Sequence, residues 1–189
     1  MILERLKKET AENHRLVEES GLMSPVTSDD FTQEQYVHIL KKFYGYFNPL
    51  EKQVESHHAI LDKYLPDLSQ RRKTDLILKD LETLSTPENP ILCEKLPPVE
   101  NLNQAFGCLY VMEGSTLGGT VISKNINKTL GLTNERGCSF FHGYGSQTGS
   151  KWKAFREALT SYCDNGGNED EIVNSANETF NKFRDWITL

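Results

Sequence analysis

The sequence lacks long apolar runs, paired cysteines and any excess of positive charge, and each absence removes a class of function. No stretch approaches the roughly 20 apolar residues needed to span a bilayer. Four cysteines, Cys93, Cys108, Cys138 and Cys163, are scattered without a C-x-x-C pair. That spacing suits neither zinc nor a disulfide framework, so they read as reduced, packed thiols. Five histidines include the neighbours His57 and His58 but no H-x-x-x-H pair, and a metal site built from protein ligands alone is not expected. A formal net charge of −6 argues against nucleic acid as a partner, because phosphate binding needs a basic stripe. The first residues, MILERLKKETAENH, become charged within four positions, unlike a secretory signal, so the expected setting is the cytoplasm. No flavin or nicotinamide fingerprint is present either, so electrons for any redox reaction would come from outside the chain.

Alternating strand patterns are also missing, and what remains reads with a helical period. Leu3, Leu6, Thr10, Asn13 and Val17 form one stripe, predicting a helix over 2–18. A long helix follows TSDDF, with Thr32 and Gln35 spaced as a capping box and Gly45 and Pro49 as expected bend points. A third helix is expected over 70–84, with Leu76, Ile77, Leu81 and Leu84 inward. The proline-rich STPENPILCEKLPPVENL reads as a connector. A helix runs from about residue 100 to Leu130, where Gly131 suits a C-cap. Residues 135–149 read as a glycine-punctuated ordered loop anchored by Phe140 and Phe141. Helices over 150–163 and from Asn168 onward complete the chain. Asn168 is the expected N-cap of the last, ahead of Glu169, Asp170 and Glu171. The expected fold is all-α, a single domain spanning residues 1–189.

Two features rise above this pattern. In LKKETAENHRLVEE, Glu18 follows His14 by four residues and shares its helix face. Such a carboxylate can hold one imidazole nitrogen and leave the other as a lone pair for a metal, although a surface pair is the plainer reading. In YVMEGSTLGGTVISKNI, Gly114, Gly118 and Gly119 interrupt an apolar helix, each costing about 1 kcal/mol relative to alanine. Either another helix packs very close here, or a flat ligand lies directly against the backbone.

Together these features resemble the haem oxygenase family, and specifically its bacterial type, whose distal helix reads E-G-S-x-L-G-G/A. LKKETAENHRLVEESGLM is similar to the family's proximal-helix signature, and GCSFFHGYGSQTGSKWKAFREAL to its F-F-x-x-Y-G-x-x-x-G-x-x-W-x-x-F segment, typical of members that supply biliverdin to bacterial phytochromes. The resemblance runs from residue 1 to about 185. It implies a multi-helical bundle with haem between a proximal and a kinked distal helix, with His14 as iron ligand and Glu18 behind it. Gly114, Gly118 and Gly119 would touch the haem through backbone.

The implied reaction is oxidative ring opening of haem b, both substrate and cofactor, to biliverdin, carbon monoxide and ferrous iron. Oxygen and an external donor, a ferredoxin or a reductase, would take part. Lys7, two turns before His14, and Tyr110 match propionate-side positions in the family; Lys124, Lys153 and Arg156 are further basic candidates, for which a solvated helix face is the competing reading. Mammalian-type members carry an aspartate on the distal helix where this chain has Ser115. That places Ser115, with Gly114 and Gly118, among the catalytic candidates, and Glu113 is expected to face away from the haem. His38, His57, His58 and His142 match no haem ligand, and Phe43, Tyr44, Tyr46 and Phe47 read as core or pocket wall. An inactive haem carrier or sensor on the same fold, and a helical protein that binds no haem, are the alternatives.

Overall fold

The computed structural model describes residues 1–71, 73–85 and 90–189. Among them the regular elements are all helical: α1 (Ile2–Glu9), α2 (Ala11–Glu18), α3 (Gln33–Glu55), α4 (His58–Leu61), α5 (Thr74–Thr83), α6 (Leu102–Leu130), α7 (Ser139–His142), α8 (Thr148–Asp164) and α9 (Glu169–Ile187). Short 3-10 turns lie at Ser24–Thr27, Leu68–Arg71 and Gly145–Gln147. No helix among the described residues is long and apolar enough to cross a membrane.

α6 and α9 form the central pair. They approach closely because Gly107 has no side chain: a Cβ there would sit 2.6 Å from the Ile172 carbonyl oxygen and from Ser175 Cβ. The inward face of α9 is Ile172, Val173, Ala176, Phe180, Phe183 and Ile187, all buried, as the helical period requires. Asn168 caps this helix by accepting from the Asp170 and Glu171 amides at 3.1 and 3.2 Å. Replacing it with alanine leaves those donors without a partner in the chain and is expected to cost about 1 kcal/mol, read as a lowered urea midpoint at unchanged slope.

Local chemistry explains where the observed helices depart from the expected ones. The stripe over 2–18 is broken at Thr10, whose backbone N–H and hydroxyl both bond to the Leu6 carbonyl, at 3.0 and 2.7 Å. A β-branched hydroxyl that back-bonds in this way competes with helix continuation. α3 begins with the expected Thr32–Gln35 capping box and runs, as expected, as one long helix with Gly45 and Pro49 inside it. Proline 49 cannot donate to the carbonyl four residues earlier. That carbonyl, Gly45 O, instead accepts from the Cys93 amide at 2.8 Å, and the absent Gly45 side chain makes room for the Ile91 carbonyl and the Trp186 ring. The third helix is shorter than expected, starting at Thr74 after a 3-10 turn. The stretch 135–149 contains α7 and a further 3-10 turn rather than loop alone. In the connector, residues 86–89 lie outside the described residues. All four cysteines are free, three of them buried.

Candidate active site

One cavity of about 810 Å³ opens between α1–α2 on one side and the middle of α6 on the other, within the range of small-molecule sites. Its deep wall is aromatic, with Phe43, Phe47, Phe140, Phe141, Phe180 and Phe183. The wall is held rigidly. Asp80, fully buried, accepts from the Ser139 and Phe140 amides at 2.7 and 2.8 Å, and this carboxylate fixes the helix that carries Phe140 and Phe141.

His14 lines the cavity from α2. Its Nδ1 lies 3.4 Å from Glu18 Oε2, longer than an ordinary charge-assisted hydrogen bond. Its ring stands edge-on to Phe180 with centroids 5.7 Å apart. Nε2 has no protein partner among the described residues, and the side chain is 55 % exposed. Lys7, one helix earlier, lines the same cavity, with no acidic partner among the described residues. Tyr110 lines it from α6; burial pushes its hydroxyl pKa up, against the opposing influence of Thr10 and Arg156.

The three glycines of α6 separate into two kinds. A Cβ on Gly118 would meet nothing within 4 Å, and one on Gly114 would meet only the Trp152 ring edge at 3.9 Å. These positions open onto the cavity. Gly119 also lines it, but a Cβ there would lie 2.6 Å from the Phe141 carbonyl oxygen. Packing therefore accounts for Gly119, and open cavity for Gly114 and Gly118. Ser115 lines the cavity while its hydroxyl donates to the Met112 carbonyl of its own helix at 2.7 Å.

Lys124, Lys153 and Arg156 are not among the lining residues of this cavity. Lys124 borders a separate, smaller cleft of about 310 Å³ with Asn127, Thr133 and His142. Lys153 is exposed and lies 3.8 Å from Glu157 along α8. Arg156 is exposed on the same helix, and its charge slightly opposes the rise of the Tyr110 pKa.

A feature not anticipated from sequence is a buried ionic cluster behind α6. Glu113, 1 % exposed, is paired with both Arg71 and Lys73. The Tyr144 hydroxyl donates to the same carboxylate at 2.9 and 3.2 Å. Burial, reinforced by the Glu113 charge, pushes the Tyr144 pKa far upward, so the phenol remains a donor. Arg71 also grips Asp67 through two nitrogens at 2.8 and 3.1 Å, and Lys151 pairs with Asp67 at 2.6 Å. Lys73 and Tyr144 line the cavity; Glu113 does not.

A family model described as "Heme oxygenase" matches residues 1–188. No curated protein sequence matches the chain significantly. Among solved structures, the NO- and CO-bound heme oxygenase from Neisseria meningitidis is similar at 29 % identity and TM-score 0.79, with 100 % of this chain and 92 % of that one covered. Heme oxygenase from Leptospira interrogans shares the fold at 18 % identity and TM-score 0.79, covering 99 % of this chain and 98 % of that one. Heme oxygenase-1 from Synechocystis, solved in complex with heme, does so at 14 % and 0.72, covering 99 % and 90 %. The match runs from the first residue to the last but one, so the helix bearing His14 and the helix bearing the open glycines both lie inside it: the chain belongs to the haem oxygenase family.

Proposed function

We propose that the cavity binds haem b as substrate, with His14 Nε2 toward the iron and the backbone of Gly114–Gly118 over the opposite face. The chain, acting as one domain, would then open the macrocycle to biliverdin, carbon monoxide and ferrous iron. The observation that carries this reading is that an imidazole nitrogen without a protein partner among the described residues and two glycines of α6 with open space beside them face the same aromatic-walled cavity. Bound haem supplies both the iron that takes up oxygen and the carbon framework that is oxidised.

The residues contribute in separable ways. His14 would hold the iron through an imidazole nitrogen, a weaker electron donor than a thiolate, and Glu18, 3.4 Å from Nδ1, would orient the ring. Lys7, without an acidic partner among the described residues, offers its ammonium to a propionate, and Tyr110 stands on the same cavity. Gly114 and Gly118 let backbone carbonyls approach where side chains would intrude. The Ser115 hydroxyl spends its proton on Met112 and keeps lone pairs, so it can accept from a water at the distal face but not donate to it. Lys124, Lys153 and Arg156, placed off the cavity wall, would contribute at most long-range charge. Electrons come from a ferredoxin or reductase, and the setting is the cytoplasm. Similarity to phytochrome-associated members makes a bacterial phytochrome the candidate acceptor of biliverdin.

Reconstitution with one equivalent of haemin, followed by a ferredoxin system or ascorbate in air, tests this directly. The Soret band is expected to give way to biliverdin absorption with release of carbon monoxide. A Soret band that persists through reduction in air would instead mark the chain as a haem carrier or sensor.

A further inference from the structure

Between Gly114 and Gly118, the side chains of α6 that face the cavity have few partners outside their own helix. Among the described residues, Ser115 and Thr116 bond only to carbonyls of their own helix, Met112 and Glu113, at 2.7 Å each. Gly114 and Gly118 have no side chain, and Leu117 is 44 % exposed. The segment is therefore located from its two ends. At one end, Gly119 abuts the Phe141 carbonyl. At the other end stands Glu113, immediately before Gly114.

From this geometry we infer that Glu113 is a positioning residue: its carboxylate, held by Arg71, Lys73 and Tyr144, sets where the Gly114–Gly118 backbone lies over the cavity. Three walls meet at this one group. Arg71 and Lys73 come from the segment before α5, Tyr144 from the turn after α7, and Glu113 from α6, while Lys73 and Tyr144 also line the cavity themselves. Arg71 is tied further to the Lys151 carbonyl of α8 at 3.2 Å. Buried ion pairs add little net stability, since desolvation offsets their attraction, but their directional demands fix one arrangement among several of similar energy. An apolar contact at this point would tolerate sliding of α6 by a fraction of a turn. A carboxylate shared by a guanidinium, an ammonium and a phenol does not.

The consequence for reaction, which rests on the cavity binding haem as proposed above, is that the cluster determines which edge of the macrocycle the helix leaves open to attack. Two measurements on Glu113→Gln and Tyr144→Phe test the inference. Asn103→Ala serves as control: Asn103 sits in the first turn of α6, outside the cavity lining, and bonds Tyr162, the Asn168 amide and Glu171. The first measurement is amide hydrogen exchange in the haem-free chain, which needs no turnover. Exchange across 114–118 is expected to accelerate about 10-fold or more in Glu113→Gln, and less in Tyr144→Phe, with no such change in Asn103→Ala. The second is the isomer composition of the biliverdin formed, expected to pass from one dominant isomer to a mixture in the first two variants only. Unchanged exchange across 114–118 in Tyr144→Phe, and in Glu113→Gln where it folds, would overturn the positioning role. Faster exchange with an unchanged isomer ratio would overturn its link to regiochemistry. Absence of biliverdin from the parent chain would count against the proposed function, whereas the exchange result stands on its own.

Discussion

His14→Ala is expected to remove haem turnover, by at least about 100-fold, while leaving the fold intact. Loss of supporting groups around a metal ligand already costs roughly 10- to 100-fold, and here the ligand itself is removed. Folding has little at stake. The side chain is 55 % exposed, with a 3.4 Å contact to Glu18 and one edge-on contact to Phe180, worth about 1 kcal/mol together. The deletion leaves a gap at the cavity wall, so added imidazole is expected to restore an axial ligand and part of the spectrum. Glu18→Ala should be far milder, below about 10-fold, because that carboxylate is 66 % exposed and stands off from Nδ1. The rate of biliverdin formation checks the two turnover expectations, and the visible spectrum of the haemin complex, taken with and without imidazole, checks the axial ligand. An unchanged spectrum in His14→Ala would displace His14 from the iron.

His14 and the glycines, which the structure brings to one cavity, could be singled out in the sequence because each feature is local. An i, i+4 pair and a run of glycines within one helix are fixed by helical geometry before any tertiary structure forms. The caps were legible for the same reason: Thr32 with Gln35, Asn168 with the two amides beyond it, and Gly131, at φ 66°, closing α6. What escaped was set by contacts between distant segments. The reading of Gly45 and Pro49 as bend points follows from backbone rules, but it omits the Cys93 amide, which satisfies the carbonyl that proline orphans. Glu113 was expected merely to face away from the ligand. No periodicity relates it to Arg71, 42 residues earlier, or to Tyr144, 31 residues later; only the docked helices bring them together. Lys124, Lys153 and Arg156 illustrate the reverse case. Each lies on a helix that borders the cavity, but a helix has several faces, and theirs turn to a side cleft or to solvent.

The adjacent glycines of α6 should respond to the same substitution in opposite directions. Gly118→Ala places a methyl where nothing lies within 4 Å, so only the backbone term acts. Alanine in a helix interior is then favoured by about 0.5–1 kcal/mol. Gly119→Ala makes the same gain, but its methyl would lie 2.6 Å from the Phe141 carbonyl oxygen. That oxygen cannot easily withdraw, because Asp80 pins the two preceding amides at 2.7 and 2.8 Å. Overpacking of this kind costs about 1–3 kcal/mol, enough to reverse the sign. A protein of this size shifts its melting temperature by about 2–4 °C per kcal/mol, so the two variants should separate clearly in a thermal scan of the haem-free chain. Affinity for haemin should order them differently. Gly118→Leu extends into the cavity from a position where a Cβ meets nothing within 4 Å, so the chain should remain folded while haemin binding weakens by about 10-fold or more, the equivalent of 1.4 kcal/mol. If Gly118→Leu binds haemin like the parent, the macrocycle does not lie against this backbone. If Gly118→Ala and Gly119→Ala shift stability in the same direction, the contact with Phe141 does not account for the second glycine.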